Sequence, residues 1–240
     1  MLGGRRPRSG IDRLTAHLVV VAALLVALNV LARWLAYQRE KASPGIAPPE
    51  WLAFLDVNSE ANLPTWFTVA VMVAAGSAAL AVAAVCSGTS QRATWFFVGL
   101  GTVLLGLSLD ELASVHERLQ ELGETLTGGS ALHFAWAVPG AVVASVLVAG
   151  LLVGARPVGG RIRRRLAVAL AVFLTGALVV EVAGGQVLRV YGHREAYVLV
   201  TAVEEFLEIV GVVLGLRAVL GAVSVRPGPG GWMLTPDLPG

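Results

Sequence analysis

The sequence predicts an all-α integral membrane bundle of about six transmembrane helices with both termini cytoplasmic, and three observations carry that prediction. Hydrophobic residues make up 56% of the chain and charged residues 14%, with a mean hydropathy of +0.74, whereas roughly a quarter of a soluble domain is charged. Six apolar stretches reach the roughly 20 residues needed to cross a hydrocarbon core. The basic residues divide unevenly between the two sides that these stretches define.

The stretches run from Leu14 to Tyr37, Leu63 to Cys86, Ala93 to Ala113, Ala131 to Gly154, Leu166 to Leu188 and Ala196 to Val223. With the N-terminus inside, the inner segments hold Arg5, Arg6, Arg8, Arg13, Arg92, Arg156, Arg161, Arg163, Arg164, Arg165 and Arg226. The outer loops hold Arg39, Lys41, Arg118, Arg189 and Arg194, so the count is eleven against five, as the positive-inside rule requires. The arginines ahead of Leu14 resemble the charged start of a signal peptide. The apolar run is longer than an h-region and no small-residue cleavage site follows, so it reads as an uncleaved anchor. The expected organisation is a basic cytoplasmic N-terminus over residues 1–13, a six-span membrane domain over 14–223, and a Pro/Gly-rich cytoplasmic tail over 224–240 that is disordered. The expected location is the cell (plasma) membrane, multi-pass. Membrane lipid is the expected partner, and oligomeric state is left open.

Arginine outnumbers lysine 17 to 1, a codon-bias pattern that implies no nucleic-acid partner. Cys86 is the single cysteine, which leaves no intrachain disulfide and no cysteine-based metal site. The first outer loop, Gln38 to Asn62, carries Pro44, Pro48 and Pro49 and then WLAFLDVNSEANLPTWF. Asn62 is placed to cap the second helix, with Pro64 in its first turn and Trp51 and Trp66 at headgroup level. Asp56 and Glu60 at that mouth read as capping and anchoring residues ahead of ligands.

The chemistry concentrates in LSLDELASVHER, Leu107 to Arg118, where an apolar helix acquires Asp110, Glu111, His116 and Glu117 before it ends. On a continuous helix Asp110 and Glu117 return to one face with Ser114 between them, and Glu111 lies a quarter-turn away. His116 joins them only if the helix unwinds near its end. Counted at about 1.5 Å per residue, Asp110 and Glu181 lie about 22 Å up their helices from the inner side. Glu204 and Glu208, in EEFLE, lie about 12 and 18 Å down from the outer side, with Glu205 about a quarter-turn off their face. Each carboxylate at the centre of a membrane helix costs about 2.5–3.5 kcal/mol on the insertion scale. Arg33 and Arg217 are the two arginines inside the predicted spans, too few for five acids. Shared protons or a bound cation must supply the rest.

A cation would be a divalent metal, zinc, manganese or iron, held by Asp110, His116, His133, Glu181, Glu204 and Glu208. There is no HExxH, and Ala113 stands where a di-iron Glu-x-x-His repeat would need its glutamate. NLPTWF at the second span, SLDELASVHE closing the third and EEFLE in the sixth together resemble an uncharacterised family of bacterial multi-pass membrane proteins with no established activity. The resemblance covers about Asp56 to Gly211 and implies that these positions act together. EEFLEI also resembles the glutamate box of CAAX-type membrane proteases, but Ile209 occupies the arginine position.

Three functional classes follow. The first is a metal-dependent membrane enzyme acting on a lipid or lipid-linked substrate near the outer leaflet, with Glu117 or Glu204 as catalytic proton acceptor. The second is a proton- or cation-coupled transporter with a small-ion substrate, and the third is a structural or assembly subunit. Glu111, Glu205 and Ser114 belong to the cluster in all three.

Overall fold

The computed structural model describes residues 10–45, 49–56, 62–129, 132–192, 195–228 and 231–238. Arg5, Arg6, Arg8, Glu60 and Arg194 lie outside the described residues. Within them the chain is helical apart from one hairpin: α1 (Gly10–Ala42), the short α2 (Glu50–Ala53), α3 (Leu63–Cys86), α4 (Gln91–Ala113), a 3₁₀ turn (His116–Leu119), α5 (Gln120–Thr127), α6 (Ala137–Gly154), α7 (Gly160–Leu174), a π-helical segment (Thr175–Val180), α8 (Glu181–Tyr191) and α9 (Glu195–Leu220). Five helical stretches are long and apolar enough to cross a membrane: α1, α3, α4, α6 and the continuous rod from Gly160 to Tyr191. They keep large apolar side chains outward, such as Leu24, Leu31, Val142, Val146 and Val153. An apolar exterior on this scale fits a membrane protein.

Helix α9, 26 residues long, is the central post. It packs against α1, α3 and α7, and its acidic residues keep it out of the apolar set. Ile209, Val212 and Val213 of α9 join Ala22 of α1 and Met72 and Ala75 of α3 in one buried cluster. Small residues set the close approaches, as in membrane bundles generally. A Cβ at Gly211 would lie 2.6 Å from the Phe173 backbone nitrogen, and one at Gly101 would lie 3.0 Å from the Gly76 carbonyl oxygen. Ion pairs fix the periphery: Arg33 binds Asp56 at 2.6 Å, and Arg217 donates to one oxygen of Asp12 through Nε and a terminal nitrogen at 3.1 and 2.7 Å. The two arginines within the predicted spans therefore serve aspartates outside the five-acid cluster.

Helix α3 starts where the sequence places it, because the Asn62 side chain accepts the Thr65 N–H at 2.7 Å and Pro64 needs no donor in the first turn. Three expectations need correction. The fourth helix begins at Ala137 rather than Ala131, so His133 precedes it; Pro139 sits in its first turn, where its missing N–H costs nothing. The loop after α4 is itself helical. The tail expected to be disordered forms an antiparallel hairpin over its described residues, β1 (Val223–Gly228) and β2 (Gly231–Pro236), with Val225 opposite Leu234. Its base is tied by the Asp237 N–H to the Ala222 carbonyl at 2.7 Å, and Leu238 packs on the core cluster of Cys86, Phe97 and Ile162.

Candidate functional site

Helix α4 stops one residue before Ser114, which adopts a left-handed conformation with φ 45° and ψ 45°. Such a conformation costs a non-glycine residue about 1–3 kcal/mol and persists only where its surroundings hold it. Asp110 holds it here. Its backbone carbonyl accepts the Val115 N–H at 3.3 Å, one side-chain oxygen accepts the His116 N–H at 2.8 Å, and the other meets His116 Nδ1 at 3.0 Å. The helix thus unwinds as the sequence required for His116 to reach the carboxylates. The placement of Asp110 and Glu117 on one helical face is corrected, because the helix has ended before Glu117, which reaches the site from the 3₁₀ turn.

Past the turn, Gln120 fastens the incoming segment of the fourth helix. Its amide nitrogen donates to the His133 carbonyl at 3.0 Å, and its oxygen accepts the Trp136 N–H at 3.2 Å. Trp136 then lies against the His116 ring, with centroids 4.4 Å apart at 52°, and its indole N–H donates to Glu181 at 3.3 Å. Glu181 follows the π-helical segment and lines the same cavity as Glu204 of α9. Glu205, Glu208 and Glu111 stand within electrostatic reach of one another. His133 turns its ring edge-on to Phe134 at 4.8 Å.

These groups face a single cavity of about 690 Å³, inside the roughly 300–1,000 Å³ range of small-molecule sites. All ten residues singled out in the sequence line it: Asp110, Glu111, Ser114, His116, Glu117, His133, Glu181, Glu204, Glu205 and Glu208. Trp136 and Tyr197, to which sequence reasoning assigns no role, also line it, as does Thr201, which continues the Glu204 stripe one turn earlier in the sequence; a tryptophan between His133 and Pro139 is the available signal. Apart from Thr65, the remaining side chains of the wall are hydrocarbon, including Leu107, Leu147, Phe173 and Leu178.

Among the described residues, no three His, Cys, Asp or Glu side chains are grouped so as to hold a metal ion. The cavity does contain an Asp–His pair with distinct ends. Asp110 engages Nδ1, which leaves Nε2 as the nitrogen for a further partner. Burial works against the imidazolium. The hydrogen bond to Asp110 and the charges of Asp110, Glu117 and Glu111 together outweigh it, and His116 stays protonated to a pH above its ordinary value of 6.5.

No curated protein and no solved structure matches the chain. The match to the domain of unknown function DUF8692 runs over residues 17–223, from within α1 through α9 to the first residue of the hairpin, and the chain belongs to that family.

Proposed function

We propose that the protein is a six-span enzyme of the cell membrane with both termini cytoplasmic, and that its cavity performs proton transfer at the polar end of a lipid or lipid-linked substrate. The observation that carries this reading is the composition of the cavity wall: one end holds an oriented Asp–His pair with Glu181 and Glu204 in the same cavity, and most of the rest is hydrocarbon. Helix α9 is the sixth span. At about 1.5 Å per residue its 26 residues extend about 39 Å, enough to cross a core of about 30 Å. Its acids face protein and cavity, which lowers the cost of holding them at membrane depth. The positive-inside count supports an acid–base end in the outer half of the bilayer.

Within this reading Asp110 selects the tautomer and orientation of His116, whose Nε2 gives a proton to, or takes one from, the substrate's polar group. Glu204, in the same cavity as Glu181, is the second proton carrier. The purified protein, reconstituted with a total lipid extract, should change the abundance of at least one lipid species by mass spectrometry, and His116→Ala and Glu204→Gln should abolish that change. If wild type and both variants leave identical lipid profiles, the enzymatic reading fails. Proton-coupled uptake measured on the same vesicles would then favour the transporter.

A further inference from the structure

The polar cavity continues beyond its carboxylates. A second, narrow cavity of about 100 Å³ shares Val103, Leu107, Leu151, Leu170 and Phe173 with it, and reaches Phe96 near the inner end of α4 and Arg163 near that of α7. Apart from Arg163, its walls are apolar. From Glu111 to Phe96, α4 alone gives the combined groove a length of about 22 Å. Helix α6 covers it loosely, with Ala137 and Pro139 its two buried residues. The second cavity, about 100 Å³ in volume, has room for one hydrocarbon chain rather than two.

The head end has its own preference. Seven of the lining residues are Asp or Glu, and among the described lining residues none is Lys or Arg. Arg33 and Arg217 are committed to Asp56 and Asp12. Trp136 and Tyr197 add aromatic faces, which attract cations. Resting on the acid–base reading above, we infer that the substrate is an amphiphile with an amine headgroup and a single long hydrocarbon chain. The head sits among Glu181, Glu204 and Glu208, and the chain lies between α4, α7 and α9, pointing toward Arg163.

The test uses the full chain in lipid nanodiscs and two probes, a long-chain primary alkylamine and the fatty acid of equal length, each with a diazirine at the chain end. Irradiation with the amine should label residues around Phe96, Leu151 and Arg163, and the fatty acid should label them at least about tenfold less, the ratio that charge complementarity predicts at equal chain partitioning. Gly215 lines the narrow cavity, and a Cβ there meets nothing within 4 Å. Gly215→Leu should therefore fold with a Tm at or above that of wild type and lower inner-end labelling about tenfold by filling the groove. Equal labelling by the two probes, labelling confined to outward residues such as Val146 and Val153, or inner-end labelling that survives Gly215→Leu would each overturn the inference. The two readings fail separately. Lipid turnover that depends on His116 without groove labelling removes this inference alone, whereas groove labelling without such turnover removes the acid–base reading.

Discussion

Replacing Asp110 with asparagine isolates the charge that orients His116. The amide keeps an oxygen for the His116 backbone N–H, held at 2.8 Å, but loses the anion 3.0 Å from Nδ1. The two side chains are 31% and 29% exposed. Their interaction therefore lies between an exposed ion pair, about 0.2–1 kcal/mol, and a hydrogen bond to a charged group, about 1.5–3 kcal/mol. A loss of about 1 kcal/mol corresponds to a fall of a little under one unit in the His116 pKa. The sign follows from linkage. His116 binds its proton more tightly folded than unfolded, so the stability it contributes is complete below its unfolded pKa near 6.5 and is lost as pH rises through the higher folded value. The Tm gap between wild type and Asp110→Asn should be widest near pH 5.5 and narrow on the alkaline side. Imidazole NMR titration of the protein in detergent gives the midpoint directly. A His116 midpoint that stays put or rises in the variant would refute the assignment of Asp110 as its anchor.

Two glycines on α9 should respond oppositely to alanine. Gly211→Ala drives a methyl group against the Phe173 backbone and should cost about 1–3 kcal/mol; Gly215→Ala, with open space, should gain up to about 1 kcal/mol from helix propensity, both read by thermal unfolding. Glu204→Gln keeps the shape of the side chain and removes one acid from the cavity, so Tm should hold or rise; a fall in Tm accompanied by loss of a stoichiometric metal, detected by elemental analysis, would restore zinc, manganese or iron to the site. A reporter fused after Gly240 should be cytoplasmic and one inserted at Glu124 outside; a shared side would cancel the six-span topology.

The membrane-length helices are legible in the sequence because their determinants are local. Asn62 and Pro64 open α3, and an apolar run fills the body of each helix. The site is legible because acids in apolar helices are costly enough to be drawn together. The features that escape depend on distant contacts. No residue near Ser114 announces a left-handed turn, since Asp110 and His116 produce it by reaching across the break. Gln120 matters through the backbones of His133 and Trp136, and Trp136 through Glu181, on a different helix. The hairpin escapes because Pro227 and the glycines after it suit a tight turn as well as they suit disorder, and the Val225–Leu234 pairing decides between them.

The π-helical segment between α7 and α8 determines where Glu181 points. The Glu181 N–H reaches back to the Gly176 carbonyl, five residues away rather than four, so this turn holds one residue more than an α-turn. Each residue of an α-helix advances the side-chain direction by about 100°. Everything from Glu181 onward is thus rotated relative to the face that α7 would have continued. The rod from Gly160 to Tyr191 carries two angular phases: the first seats Ile162 and Ala169 in the packing, and the second swings Glu181 toward Trp136 and Glu204. Deleting one residue between Thr175 and Val180 would merge the phases into a regular helix and leave the rod's length almost unchanged, yet turn Glu181 away from the cavity.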